Sequence, residues 1–270
     1  MKLGTVGVTA RYGPSPVTDD DLLRLLSATA DAVAGKLGAT PDWGLAGTGP
    51  GQYASDLVAD RVAVEMLTAA GLGVLSEESG GHHLERRIVV VVDPLDGSTN
   101  AYRRLSWYAT SLCAVDHAGP VVAVVADLVH GTRYRAIRHG GAYRDDLRIG
   151  PSEVRDPGAA IVGLNGMPST HLGWEQFRAL GAAALDLCAV ADGRLDGFVD
   201  CTDDGLAPWD YLGGMLVCLE AGATVIDLHG RPLADLDHHA RRTVVAGSSF
   251  ELAEAFAAAR RSTSPAAAPS

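Results

Sequence analysis

The sequence predicts a layered α/β fold, in which an antiparallel sheet with two helices is followed by a smaller mixed sheet flanked by helices. Residues 88–92 are five consecutive β-branched residues, which is typical of a strand buried on both faces. Between residues 111 and 144, apolar stretches separated by Gly-containing turns indicate an antiparallel meander. Beyond residue 160, short apolar stretches alternate with helical patterns, which indicates a second α/β layer.

The elements of the first half follow from capping residues and apolar spacing. Residues 1–17 are irregular, and Thr18 with Asp21 three residues on predicts the cap of a helix that ends near Gly38. Residues 41–51 are rich in Gly and lack Lys and Arg, so we interpret them as a mobile connection and not as a phosphate loop. The remaining predictions are a helix over 55–70 and strands over 74–75, 88–92, 111–115, 121–126, 132–137 and 142–144.

Residues 151–158 are interpreted as a linker, so we expect an N-terminal subdomain over 1–150, a C-terminal subdomain over 151–262 and a disordered tail over 263–270. In the second half, Trp209 opens a strongly apolar helix that ends at Gly222, and Gly213-Gly214 would allow close packing against it. The other predictions are helices over 174–180, 185–192 and from 250, and strands over 161–164, 198–199, 224–227 and 243–246.

Composition excludes several classes of partner. The net charge is -11, from 33 acidic and 22 basic residues, which argues against a nucleic-acid surface and against an anionic membrane partner. The four cysteines are scattered, as expected of buried thiols in a reducing compartment. The N-terminal residues lack an apolar signal core, and no apolar run reaches membrane-spanning length, so we expect a cytoplasmic protein.

An acidic loop, Asp93-Pro94-Leu95-Asp96-Gly97-Ser98-Thr99-Asn100, follows the buried strand directly. Pro94 restrains Asp93 to an extended backbone and Gly97 allows a tight bend, so the two carboxylates can converge on one point. Their repulsion would then be relieved by a cation. The small residues after Asp96 have N–H groups that suit an anion at a helix start. An ordinary Asp-Gly turn is the alternative interpretation.

Four acidic residues, Glu77, Asp93, Asp96 and Asp210, lie at the edges of predicted elements. Each has a simpler explanation alone, such as solvated surface for Glu77 or a helix cap for Asp210. Hard oxygen ligands without His or Cys indicate Mg²⁺ or Mn²⁺. If the four carboxylates converge, they could hold two cations about 4 Å apart, as in phosphoryl-transfer sites.

Three motifs resemble the signatures of the inositol monophosphatase family, the magnesium-dependent, lithium-sensitive phosphatase superfamily that includes fructose-1,6-bisphosphatase. They are Ser76-Glu77-Glu78-Ser79, the loop from Asp93 to Asn100, and Pro208-Trp209-Asp210 followed by Glu220-Ala221-Gly222. Their order and approximate spacing match the family, and Tyr53-Ala54-Ser55-Asp56 with Asp60 resembles the helix before the first motif. The resemblance implies a five-layer α-β-α-β-α sandwich and a homodimer.

The resemblance also implies a role for each motif residue. Glu77, Asp93 and the Leu95 carbonyl would hold a first metal ion, and Asp93, Asp96 and Asp210 a second. Asp56 and Glu78 would lie near a third, weaker ion. The backbone amides of Gly97, Ser98 and Thr99 would bind the phosphate, beside the ligands Asp96 and Asp210, while the Ser98 hydroxyl would help Glu77 to activate the attacking water. Ala183 and Asp200 would contact the alcohol part of the substrate, although helix packing and a solvated turn are equally good explanations of these two.

The activity implied is hydrolysis of a small phosphorylated polyol with two or three Mg²⁺ ions per site, for which Mn²⁺ could substitute. Inositol monophosphate is the default substrate. Other substrates stay open. They are a sugar bisphosphate such as fructose 1,6-bisphosphate, histidinol phosphate, a nucleotide 3'-phosphate, and a cyclitol or sugar phosphate of a specialised biosynthetic pathway. A phosphometabolite-binding regulatory protein without catalysis also stays open.

Overall fold

Helices and sheets alternate in five layers in the computed structural model, which describes residues 17–41, 43–47 and 52–263. The helices of the described ranges are α1 Asp19–Gly38, α2 Ala54–Ala69, α3 Ser98–Arg103, α4 Ala183–Ala191, α5 Pro208–Ala221 and α6 Phe250–Thr263. The first sheet contains β1 Gly73–Ser76, β2 Gly80–His82, β3 Val89–Asp96, β4 Ala109–Asp116, β5 Gly119–Asp127, β6 Arg133–Ile137, β7 Gly141–Arg144 and β8 Leu147–Arg148. The second contains β9 Ile161–Asn165, β10 Gln176–Arg178, β11 Gly197–Asp200, β12 Thr224–Asp227 and β13 Val244–Gly247.

The central strand β3 shows how the first three layers are built. All eight of its residues are buried. Because side chains alternate across a strand, Val90 and Val92 pack with α1 and α2 on one face, whereas Val89 and Val91 pack with α4 and α5 on the other. The β-branched run over 88–92 is therefore covered on both sides, as its composition predicts.

The first sheet has the strand order β2-β1-β3-β4-β5-β6-β7-β8. Its neighbours pair antiparallel, as predicted, except that β1 lies parallel to β3, with Ser76 opposite Val92. Two parallel strands end at the same edge of a sheet, so the residues that follow β1 come out beside the last residues of β3. The Glu77 N–H donates to the Val92 carbonyl over 3.2 Å, which fixes this edge.

The second sheet is mixed, with the order β10-β9-β11-β13-β12. Strands β10, β9 and β11 are parallel to one another, while β13 pairs antiparallel with β11 and β12. Helix α6 covers the outer face through Leu252 and Phe256, and α4 and α5 cover the inner face. Helices α4 and α5 thus form the layer that both sheets share.

Two glycines of α5 bring this shared layer into close contact. A Cβ atom at Gly213 would lie 2.4 Å from Ser111 Oγ of β4, and one at Gly214 would lie 2.7 Å from Leu187 Cβ of α4. Either methyl group would clash, so α5 touches the first sheet on one side and α4 on the other only because both positions lack a side chain. The close packing predicted for these glycines is confirmed.

One predicted element is wrong. The helix over 174–180 is absent from the described structure, and strand β10 pairs with β9 there instead. Only Trp174 anchors the segment in the core, and the three strand residues are exposed, so no apolar helical face exists. Strands β2 and β8 are not anticipated by the sequence, whereas the short helix α3 begins where the small residues after Asp96 indicate a helix start.

Some predictions fall outside the described residues. These are the irregular structure of residues 1–16, part of the connection over 41–51, and the tail from residue 264. The part of that connection that is described pairs with the start of α2, since Leu45 and Tyr53 form an antiparallel bridge. The division into two subdomains near residue 150 stays a prediction. None of the helices in the described ranges has the length and apolarity needed to cross a lipid bilayer.

Candidate active site

The carboxylates of the acidic loop are held at the end of β3. Asp93 is 1% exposed and its Oδ1 accepts the Leu95 N–H over 3.0 Å, which closes a tight turn around Pro94. The Pro94 carbonyl in turn accepts the Thr110 hydroxyl of β4 over 2.9 Å. This turn keeps Asp96 in the sheet, so both carboxylates have a fixed position.

The loop carboxylates are joined to the second half of the chain at two places. Asp96 Oδ2 accepts the N–H of Ala184, in the first turn of α4, over 2.8 Å. Asp210 is the third residue of α5 and not its N-cap, which is Ala207, and its Oδ2 accepts the Ala207 N–H over 2.6 Å, as the third residue of a capping box does. The starts of α4 and α5 therefore meet the end of β3.

The electrostatics show that the four predicted ligands lie close together. Burial, followed by the charges of Asp210 and Glu78, raises the pKa of Glu77 to about 8. Burial and the charge of Glu77 hold the pKa of Asp93 well above its usual range, and burial and the charge of Asp210 do the same for Asp96. Burial raises the pKa of Asp210 to about 6, although the Ala207 hydrogen bond and the charge of Arg241 oppose the shift. Asp93 and Asp96 are buried, Asp210 is half-buried, and Glu77 retains exposed surface. Carboxylates that repel one another at such a site are stabilised by a cation.

The chemistry of this donor set fits a hard divalent cation. All donors are carboxylate or carbonyl oxygens, which Mg²⁺ prefers. Within the described ranges, no three acidic, His or Cys side chains already stand in a geometry that would hold a metal ion.

Asp56 and Glu78 flank the cluster on the side of α2. Asp56 is buried, its Oδ2 accepts the Tyr53 N–H over 3.1 Å, and burial followed by the charge of Glu78 raises its pKa to about 7. Glu78 accepts a hydrogen bond from the Gln52 amide. Asp60 is not directed to the cluster, because it accepts the hydroxyls of Ser76 and Ser79 and so fixes the turn after β1.

The bend after Asp96 depends on Gly97, whose φ is +83°. A Cβ atom there would lie 3.0 Å from the Trp107 carbonyl oxygen and 3.1 Å from Ala182 Cβ, so a side chain would not fit. The first N–H groups of α3 have no acceptor within the helix, which suits them to an anion. The Ser98 side chain lies close enough to Asp56 to lower the pKa of that carboxyl. Thr99 Oγ1 lies 3.2 Å from Tyr53 Oη.

A cavity of about 240 Å³ opens beside Asp96 and Asp210. Its walls include Ala183, as the resemblance implies, together with Asp186 and Asn165. The full set of described lining residues is Asp96, Leu164, Asn165, Gly181, Ala182, Ala183, Asp186, Phe198, Gly205, Leu206 and Asp210. The cavity therefore combines polar side chains with small residues that leave room for a ligand.

Asp200 lies at the end of β11, behind this cavity. It is fully buried, its Oδ1 accepts hydrogen bonds from Asn165 Nδ2 (3.0 Å) and the Thr202 N–H (2.9 Å), and its Oδ2 has no hydrogen-bond partner in the described part of the chain. A Cβ atom at Gly205, which lines the cavity, would lie 3.0 Å from that oxygen. The solvated-turn explanation of Asp200 is wrong, because the side chain is buried.

The segment from Cys201 to Leu206 is fastened on its outer side by ion pairs. Arg260 Nη2 of α6 lies 2.6 Å from Asp203 Oδ1, and Arg231 bridges Asp204 and Asp227. The Asp204 N–H also donates to Thr243 Oγ1 over 2.8 Å. This segment, which separates Asp200 from Asp210, is thus held by contacts that point away from the cavity.

Sequence reasoning missed three residues of this region. Asp186 is the one acidic residue of the otherwise apolar helix α4, a signal that could have singled it out. His238 Nε2 lies 3.3 Å from the Glu77 carbonyl oxygen and its ring centroid lies 4.7 Å from that of Trp209. Arg241 lies 5.3 Å from the Trp209 ring centroid. Nothing in the sequence marks the last two, because they reach the site from a long connection between β12 and β13.

Comparison with known proteins identifies a family. A sequence model described as the inositol monophosphatase family matches residues 52–264. The match covers the acidic loop, the turn after β1 and the start of α5.

Individual relatives carry two different names. The chain is 32% identical over 205 residues to a protein of Xylella fastidiosa named Nus factor SuhB, covering 68% of this chain and 72% of the relative. It is 36% identical over 212 residues to the inositol-1-monophosphatase of Mesorhizobium japonicum, covering 67% and 74%. The matches to the SuhB proteins of Salmonella typhimurium and Escherichia coli span 173 residues and 63% of the length of those proteins.

Solved structures share the fold. A protein of Pyrococcus horikoshii described as similar to inositol-1 monophosphatase superposes with a TM-score of 0.81 at 24% identity, covering 90% of this chain and 99% of that one. The five layers described above are therefore the layers of that structure as well.

Proposed function

Because the chain belongs to the inositol monophosphatase family, a family of phosphatases, we propose that it is a Mg²⁺-dependent phosphomonoesterase that acts on a small phosphorylated polyol, with inositol monophosphate as the default substrate. The observation that carries this proposal is the group of four carboxylates, Glu77, Asp93, Asp96 and Asp210, of which Asp93 and Asp96 are buried and the charge of Asp210 raises the pKa of Glu77, Asp93 and Asp96, beside a polar cavity. Such a group fits divalent cations and a phosphate ester.

The proposed ligands follow the motifs. Glu77, Asp93 and the Leu95 carbonyl would hold one ion, Asp93, Asp96 and Asp210 a second, and Asp56 and Glu78 would lie near a third. When bound, Mg²⁺ supplies Lewis acidity, which lowers the pKa of a water molecule and offsets negative charge on the phosphate and the departing alkoxide. Mn²⁺ would substitute, since it takes the same oxygen ligands.

The chain's own residues would bind and orient the phosphate and accept the proton of the attacking water. The N–H groups of Gly97, Ser98 and Thr99 would bind the phosphate oxygens, because the bend at Gly97 turns the start of α3 toward the cluster. Glu77 would take the proton of the attacking water, since it lies beside Asp210 and Asp93 at the cluster. The Ser98 hydroxyl, which lies near Asp56, would help Glu77 to orient that water.

The alcohol part of the substrate would occupy the cavity of about 240 Å³, with Ala183 at its wall and Asp200 behind it. The four cysteines are free thiols, which supports a reducing cytoplasmic location. We further propose a homodimer, on the family resemblance, and neither a nucleic-acid nor a membrane partner, on the net charge of -11.

The substitution Asp93→Asn tests the proposed function. It keeps the size of the side chain and the acceptor for the Leu95 N–H but removes a charge that both proposed ions share, so kcat/KM for inositol 1-phosphate with Mg²⁺ should fall by at least about a hundredfold. Phosphate release is the measurement, and an unchanged melting temperature shows that the fold is retained. Asp146→Asn, on an exposed turn, is the matched control. Full activity of Asp93→Asn would contradict the assignment.

A non-catalytic phosphometabolite-binding or regulatory role is the second candidate, because several relatives are named Nus factor SuhB. The complete carboxylate set argues against it, since binding alone would not need every proposed ligand. Phosphate release from polyol, sugar, amino-alcohol and nucleotide phosphates, measured with Mg²⁺ and with EDTA, separates the two. No turnover of any of these esters would favour the regulatory role.

A further inference from the structure

The cavity beside the carboxylate cluster carries more negative charge than the proposed metal ions use. Asp96 and Asp210 are proposed ligands, but Asp186 also lines the cavity and Asp200 lies directly behind Gly205. The charge of Asp186 raises the pKa of Asp96, and the charge of Asp210 raises that of Asp200, so each additional acid lies close to a proposed ligand. Two carboxylates are therefore left over on the side where the alcohol part would lie.

Neither of these two carboxylates is fully satisfied by the protein. Trp107 Nε1 donates to Asp186 Oδ1 over 2.9 Å, a neutral hydrogen bond that supplies no charge. Asp200 Oδ2 is completely buried and has no hydrogen-bond partner in the described ranges. A buried, unpartnered carboxylate oxygen beside a cavity is costly unless a ligand supplies the missing donor.

Basic groups do not line the cavity in the part of the chain that the structure describes. Arg260 is near Asp200 and lowers its pKa, but it donates hydrogen bonds to the Cys201 carbonyl (3.0 Å), the Asp200 carbonyl (3.4 Å) and Asp203 Oδ1 (2.6 Å). Arg194 lies over the Trp107 ring and pairs with Asp192. The ionisable side chains that face the alcohol side are thus acidic.

We propose that the alcohol part of the substrate carries an ammonium group, which Asp186 and Asp200 recognise. This inference rests on the proposed function. A hydroxyl could donate one hydrogen bond to Asp200 Oδ2, but an ammonium donates up to three and also neutralises charge. A second phosphate or a carboxylate on the substrate would face like charge in a buried site. The substrate class is therefore an amino-sugar, amino-cyclitol or other amino-alcohol phosphate, and sugar bisphosphates are disfavoured.

Matched pairs of phosphate esters test the proposal on the full-length protein with Mg²⁺. The first pair is glucosamine 6-phosphate with glucose 6-phosphate, in which the ammonium is far from the phosphate. The second pair is 2-aminoethyl phosphate with 2-hydroxyethyl phosphate, in which the ammonium is near the phosphate. At least one amino ester should have a kcat/KM about tenfold above its hydroxyl partner, the factor that one hydrogen bond to a charged group supplies. Fructose 1,6-bisphosphate should be the poorest of the esters.

Isosteric variants test whether Asp186 and Asp200 recognise the ammonium group. Asp186→Asn keeps the acceptor for Trp107, and Asp200→Asn keeps the acceptor for Asn165 and Thr202, so both should fold, which circular dichroism and melting temperature check. Each should lower the ratio of the kcat/KM of the amino ester to that of its hydroxyl partner by about fivefold or more, a change within the range of a hydrogen bond to a charged group. Asp146→Asn, on the turn between β7 and β8, should leave the preference unchanged.

The outcomes separate this inference from the function on which it rests. If inositol 1-phosphate and the hydroxyl esters are hydrolysed without preference for either amino ester, the enzyme assignment stands and the ammonium proposal is wrong. A preference that survives in both Asn variants would also overturn it. If no ester at all is hydrolysed in the presence of Mg²⁺, the proposed function itself fails.

Discussion

At the scale of single residues, His238 joins parts of the site that are 161 positions apart in the chain. Because a carbonyl oxygen only accepts, the His238 Nε2–H must donate to the Glu77 carbonyl, over 3.3 Å. The same ring packs on Trp209, the neighbour of Asp210. One side chain therefore touches the segments that carry a proposed ligand from each half of the chain.

We expect His238→Ala to weaken the site without unfolding the protein. Losing the contact to Glu77 should raise the Mg²⁺ concentration for half-maximal activity by about tenfold, as removal of an outer partner of a metal ligand does. The increase in melting temperature that Mg²⁺ produces should shrink in parallel. His117→Ala, on the exposed β4–β5 turn, is the matched control. A variant with wild-type Mg²⁺ dependence in both measurements would show that the contact has no role in metal binding.

Some residues of the site can be predicted from the sequence, and others cannot. Asp93, Asp96 and Asp210 could be predicted because each stands at the end of a strongly patterned element, where its position follows from the element. Asp186 could have been predicted, as an acid in an apolar helix. His238 and Arg241 could not, because their position depends on how a connection of more than fifteen residues folds back over Trp209, and local sequence does not encode such long-range placement.

At the scale of elements, α5 determines how the two sheets are spaced. It packs on the first sheet at Gly213, on α4 at Gly214, and delivers Asp210 at its start. Strand pairing and helix start signals could be predicted for most of the chain, whereas β10 was missed because an exposed edge strand has neither alternation nor an apolar face.

Substituting Gly214 should destabilise the fold. The added methyl group of Gly214→Ala would lie 2.7 Å from Leu187 Cβ and 2.8 Å from the Ala184 carbonyl oxygen, so α4 and α5 would have to separate. We expect a loss of about 1–3 kcal/mol in the free energy of unfolding, the usual cost of overpacking, measured by urea denaturation.

Gly35→Ala is a control that should change the free energy of unfolding in the opposite direction. Gly35 is an exposed position within α1, and a Cβ atom there would have no heavy atom within 4 Å among the described neighbours. The substitution should stabilise the protein by about 0.5–1 kcal/mol, because alanine loses less backbone entropy in a helix. Equal effects of the two substitutions would contradict the packing explanation.

At the scale of the whole molecule, the buried carboxylates make stability depend on pH and on metal ions. Burial raises the pKa of Asp56, Asp186 and Asp200 to about 7 and that of Glu77 to about 8, all above the values of these groups in an unfolded chain. In the metal-free protein the folded state therefore holds more protons than the unfolded state between about pH 4 and pH 8. Its stability is greatest below this window and falls as the pH rises through it.

We expect the melting temperature of the EDTA-treated protein to fall from pH 5 to pH 8. Mg²⁺ should reverse this trend, because it binds the ionised carboxylates and stabilises the folded state more at pH 8 than at pH 5. Differential scanning fluorimetry at matched ionic strength measures both effects. A metal-free protein that becomes more stable toward pH 8 would contradict the burial of uncompensated carboxylates.

The ion pairs that hold residues 201–206 have a consequence for evolution and engineering. Arg231 and Arg260 hold this segment by its surface side, while its two ends are fixed independently by β11 and α5. Its length and composition can therefore change with little effect on the hydrolytic centre. Exchanging it for the corresponding segment of a relative is thus a route by which one catalytic scaffold acquires new substrates, in nature or by graft in the laboratory.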